Sequence, residues 1–79
     1  MSEPEPRDVL HAFGAAVRAL RRERGWSQEA FADHCGFARS YMSRVERGKG
    51  NPSLDAIEAF AVALRVEVAD LFVSQGRRR

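Results

Sequence analysis

Cysteine, histidine and lysine are scarce in this chain of 79 residues, which holds one Cys, two His and a single lysine, Lys49. The lone Cys35 excludes an internal disulfide; with His11 and His34 it makes three possible ligands, short of a zinc site's four and enough for three and a water only if all converge on one ion. His34 and Cys35 are neighbours and point to different sides of any helix, so Cys35 reads as a small core residue and His34 as a surface one. No apolar run approaches the roughly 20 residues that cross a membrane. The opening Met1-Ser-Glu-Pro-Glu-Pro6 is acidic where a secretion signal is basic and then apolar, so the expected compartment is the cytoplasm. Sustained alternation of apolar and polar residues, repeats and a glycine-rich phosphate loop are absent too, which removes strands and the common catalytic sites. No enzyme activity, cofactor, metal or small-molecule ligand is expected. Without staples, apolar packing must hold the fold, and a domain of this size buries only roughly 60% of its unfolded surface.

What is present is segregated charge behind a formal net charge of +2. Residues 9 to 25 carry Arg18, Arg21, Arg22 and Arg24 against Glu23, and residues 36 to 51 carry Arg39, Arg44, Arg47 and Lys49 against Glu46. Residues 53 to 73 reverse the balance, with Asp55, Glu58, Glu67 and Asp70 against Arg65. Such a division suits a polyanionic partner.

The apolar periods predict an all-α, compact five-helix domain over residues 9–73, between a tail at 1–8 and a basic tail at 74–79. Leu10, Phe13, Val17 and Leu20 recur at helical spacing, and Gly25 stops the first helix. Ser27 caps a second, which carries Phe31, Ala32 and Cys35 and ends at Gly36. After the third helix, Gly48 and Gly50 break the chain, Asn51-Pro52 extends it, and Ser53 caps a fourth with Leu54, Ile57, Ala61 and Leu64 in period and Phe60 alongside. Val68, Leu71 and Phe72 predict a short fifth helix. The expected core is Phe13, Val17, Leu20, Trp26, Phe31, Met42, Val45, Ile57, Phe60, Leu64, Leu71 and Phe72.

The third helix, about Arg39 to Arg47, divides into two arcs at roughly 100° per residue. Ala38, Tyr41, Met42 and Val45 share one; Arg39, Ser40, Ser43, Arg44 and Arg47 occupy the other. A helix apolar inward and donor-rich outward fits a major groove about 12 Å wide, where a guanidinium can pair with guanine O6 and N7.

Three stretches carry a family resemblance: Ser27-Gln28-Glu29-Ala30-Phe31-Ala32, Cys35-Gly36-Phe37, and Tyr41-Met42-Ser43-Arg44-Val45-Glu46-Arg47-Gly48. Together they resemble the helix-turn-helix of the lambda Cro and repressor superfamily, over residues 13 to 72. Through Arg39-Ser40-Tyr41-Met42-Ser43 the chain is most similar to the controller proteins of restriction-modification systems. The resemblance implies a transcriptional regulator bound to double-stranded DNA. It assigns base contacts to Arg39, Ser40 and Arg44, to which Ser43 on the same arc adds a shorter one and Tyr41 either a phosphate or thymine-methyl contact or packing against the core. It assigns backbone contacts to Ser27, Gln28, Arg47, Lys49 and Asn51. It also implies an ion pair between Arg21 and Glu46 that orients the reading helix. Two positions depart from the pattern: Ala38 where a capping Ser, Thr or Asn is usual, and Glu67 where the last helix often begins with Ser.

One such domain covers few base pairs, so a homodimer on paired half-sites is expected, with Val66, Val68, Leu71, Phe72 and Val73 as its interface. RNA polymerase or another protein is a conceivable further partner. The rival reading is a protein-interaction module, such as an antitoxin that masks its partner, although that task gives no reason to hold Arg39, Ser40, Ser43 and Arg44 outward beside Gln28.

Overall fold

A computed structural model describes residues 6–72. Its elements are α1 (Pro6–Glu23), α2 (Gln28–Cys35), α3 (Arg39–Glu46) and α4 (Leu54–Leu64), followed by a 3-10 turn at Val68–Phe72. The described chain is all-helical, but four α-helices form and not the expected five: five residues after α4 close only a 3-10 segment. Glu67 precedes that segment and donates its backbone N–H to the Asp70 carboxylate at 2.9 Å, the return half of a capping box and not the half that a Ser hydroxyl at position 67 would supply. The first helix starts at Pro6, inside the expected tail, because a proline at the first helical position has no N–H to leave unsatisfied. Val73 and residues 74–79 lie outside the described residues.

Caps form where the sequence signals them. The hydroxyls of Ser27 and Ser53 accept the N–H groups of Ala30 and Ala56, each at 3.1 Å. Gly36 ends α2 at φ 81°, and the Phe37 N–H returns to the Ala32 carbonyl at 2.9 Å.

Phe60 of α4 is the hub of the core. Its ring meets Phe13 of α1 at 5.9 Å, Phe31 of α2 at 6.2 Å and Phe37 of the α2–α3 turn at 5.2 Å between centroids. Val17, Leu20, Met42, Val45, Leu64 and Leu71 fill the space around these rings. Trp26 and Ile57 pack on the margin, half-buried. Of the expected core, Phe72 stacks on Phe13 at 5.3 Å while staying partly open, and Leu54, in period on α4, is 83% exposed. The apolar stripe of α4 centres on Phe60 and Leu64, and Leu54 lies about 100° from that centre in the first turn.

Candidate nucleic-acid interface

The tight Gly36 turn sets α3 across the end of α2, with Met42 and Val45 buried beneath it. On the opposite arc Arg39, Ser40, Arg44 and Arg47 are exposed and Ser43 is half-buried. Tyr41 tilts against Phe37 at 5.0 Å, and burial pushes its phenol above the ordinary value. The loop after α3 folds back on the helix: the Lys49 N–H donates to the Arg44 carbonyl at 2.8 Å, and a Cβ at Gly50 would stand 3.7 Å from Arg44 Nη2. Lys49 and Asn51 are exposed on this loop, while Arg47 turns its Nε toward the Ser43 carbonyl at 3.3 Å.

Behind α3 lies a clamp. Arg21 Nε donates to Glu46 Oε2 at 2.6 Å and Nη2 to Oε1 at 3.0 Å, while Nη1 donates to the Trp26 carbonyl at 2.8 Å. Gln28 Nε2 donates to Glu46 Oε1 at 3.2 Å. A carboxylate only accepts, so the Gln28 amide nitrogen must face it, and one amide hydrogen remains for another acceptor. Arg21 and Glu46 are 7% and 8% exposed, and among the described residues no buried side-chain nitrogen or oxygen lacks a partner. One carboxylate thus ties together α1, the start of α2 and the end of α3.

Residues 12–71 match a family described as a helix-turn-helix domain. This chain belongs to that family. The likeness to the lambda Cro and repressor type, and within it to controller proteins, holds at the level of whole chains. A solved structure of a hypothetical transcription factor from Neisseria is 36% identical, with a TM-score of 0.84 over 99% of this chain and 90% of that one. The restriction-modification controller protein C.AhdI from Aeromonas hydrophila is 46% identical, with a TM-score of 0.76 over 80% of this chain and 96% of its own. SinR, described as a master regulator for biofilm formation and solved in complex with DNA, is 34% identical, with a TM-score of 0.72 over 77% of this chain and 98% of its own.

Against the helix-turn-helix frame, the residues expected from the sequence divide into three groups. Arg39, Ser40, Ser43 and Arg44 share the outer arc of α3, with Arg47, Lys49 and Asn51 following on the same loop. Ser27 and Gln28 stand at the start of α2, but both are already engaged, one as a cap and one on Glu46. Of the apolar set near the chain end, Leu71 is 0% exposed: it belongs to this chain's own core and cannot meet a second copy. Val66 is half-buried, while Val68 and Phe72 are each 43% exposed. Among the described residues no helix is long and apolar enough to cross a membrane, and no cluster of three or more His, Cys, Asp or Glu could hold a metal. The His34 ring lies tilted beside Trp26 at 4.8 Å, and burial raises the pKa of the half-buried Cys35 thiol.

Sequence reasoning missed Gly14 and the Trp26 carbonyl. A Cβ at Gly14 would overlap the Val45 carbonyl oxygen, so only glycine lets α1 approach the end of α3. A glycine inside an otherwise strong helical pattern was the available signal.

Ala38 begins α3 with no side-chain cap. Ala38→Ser is expected to raise stability by about 1 kcal/mol by accepting an orphan N–H of the reading helix. An unchanged urea midpoint would show that the helix start is already satisfied.

Proposed function

We propose that this protein is a sequence-specific transcriptional regulator that binds double-stranded DNA and reads the major groove with α3. The observation that carries this reading is the outer arc of α3, where Arg39, Ser40 and Arg44 stand exposed on a helix fixed from behind by the buried Arg21–Glu46 pair. Base recognition needs donors held rigidly, since a bidentate guanidinium–guanine contact depends on both angle and distance. Arg39, Ser40, Ser43 and Arg44 are the base-reading residues, with Tyr41 at the edge of that set and partly committed to Phe37. The second hydrogen of the Gln28 amide, the free O–H of Ser27, Arg47, Lys49 and Asn51 contact the backbone on either side.

The regulator acts in the cytoplasm as a homodimer on a palindromic operator, its two reading helices about 34 to 36 Å apart. Support for the dimer comes from Val68 and Phe72, large apolar side chains left open close together in the chain, with Val66 beside them and Val73 next in sequence. The likeness to C.AhdI favours a restriction-modification controller, and that to SinR favours DNA as the ligand. No catalytic step belongs to this reading.

Selection from a random duplex pool at two salt concentrations tests it. A recovered palindrome is the expected result; weak binding without a preferred motif, erased by salt, refutes it. On the selected duplex, Arg44→Ala is expected to relax preference at one base pair by roughly 1 to 3 kcal/mol. Lys49→Ala, whose side chain takes no part in the clamp, should weaken all sequences alike and lower the salt slope by about 1. Equal behaviour of the two variants would contradict the division between reading and anchoring.

A further inference from the structure

We propose that the face of α1 bearing Arg18 and Arg22 is a second DNA-backbone strip, which grips phosphates flanking the segment read by α3. This rests on the DNA-binding reading above. At roughly 100° per residue, His11, Ala15, Arg18 and Arg22 share one narrow arc of α1. Gly14 and Arg21 beside that arc face α3, and Phe13, Ala16, Val17 and Leu20 point the other way into the core.

Both ends of the strip are placed by contacts. At its start the His11 imidazole lies against Gly48, occupying the space a Cβ at position 48 would take, in the loop that carries Arg47 and Lys49. Toward its end, Arg21 reaches Glu46 and the Trp26 carbonyl, beside Gln28 at the start of α2. The strip therefore runs between the two segments assigned to the DNA backbone, over about 16 Å of helix.

Its charge has no internal use. Arg18 and Arg22 are exposed, and among the described residues neither has an acceptor. Like charges four residues apart repel on a helix, and only an outside polyanion turns that repulsion into attraction. The carboxylates of α1 do not intervene: Glu23 is turned away and pairs with Arg24 at 3.2 Å, and Asp8 lies in the first turn, far from both arginines. Ala15 and Ala19 beside the arginines are small enough to let a phosphate backbone come close.

The test measures log K against log salt for wild type, Arg18→Gln, Arg22→Gln and Arg24→Gln, on the duplex selected from the random pool and on a scrambled duplex of equal length. Each of the first two variants is expected to lower the salt slope by about 0.9 and to weaken both duplexes by the same factor, leaving the preference intact. Arg24→Gln, which removes the same charge from another face, should leave the slope unchanged. Slopes unaltered in Arg18→Gln and Arg22→Gln, or lowered equally in Arg24→Gln, overturn the strip while the wild-type preference keeps the reading helix standing. Absence of preference in the wild type instead overturns the DNA reading and the strip with it.

Discussion

Glu46→Ala is expected to lower the stability of this domain by about 3 to 5 kcal/mol, because it leaves the Arg21 guanidinium buried with its charge uncompensated. In the intact protein that group is 7% exposed and makes three hydrogen bonds, two of them to Glu46. After the substitution only the Trp26 carbonyl remains. Small domains have about 5 to 15 kcal/mol in total, so the loss removes a large share, and Tm should fall by more than about 10 °C. Replacing both partners with apolar residues, Arg21→Met with Glu46→Leu, should cost far less, since no charge is stranded. The double variant separates stability from orientation. It also strips Gln28 of its acceptor, so it should fold and yet bind the selected duplex less tightly than wild type. Thermal unfolding and duplex titration of the single and double variants check this, and a Glu46→Ala protein that melts at the wild-type temperature would falsify the clamp.

The second large effect is expected at Gly14, where local preference and packing have opposite signs. In the middle of a helix, Gly→Ala should gain about 1 kcal/mol from propensity alone. Here the added methyl would overlap the Val45 carbonyl oxygen and come within 3.0 Å of the Glu46 carbonyl oxygen, both backbone atoms that no rotamer change can move. The two helices must separate, and overpacking of this kind costs roughly 1 to 3 kcal/mol. Gly14→Ala is therefore expected to be net destabilising and Gly14→Val to lie at or beyond the upper end of that range. Since Arg21 grips Glu46 across the same crossing, DNA affinity should fall with stability. A stabilised Gly14→Ala protein in urea unfolding would show that α1 and α3 are free to part.

These two predictions differ in how far the sequence foreshadowed them. Family resemblance pairs Arg21 with Glu46, whereas nothing local names the partner of Gly14, which lies 31 positions along the chain. The same division runs through the fold. Ser27, Ser53 and Gly36 act within a few residues of themselves, so their capping roles follow from local chemistry. Leu54 and Leu71 both fit a helical period, yet one is open to solvent and the other sealed in the core, because a period says which residues share a face and not what covers it. Gln28 shows the same limit at the site: its type and place at the start of α2 suggest a phosphate donor, but its nearest acceptor is the chain's own Glu46.

By itself, then, the order of residues settled the all-helical class, most helix boundaries and the outward arc of α3, since each depends on spacing of 3.6 residues per turn or on a cap next to its helix. Tertiary structure alone decided that the fifth helix shrinks to a 3-10 turn, that Leu71, expected both in the core and at a dimer interface, serves only the core, that glycine is required at position 14, and that one carboxylate joins three helices. Those outcomes depend on atoms brought together from distant parts of the chain, where packing and desolvation outweigh what any short segment prefers.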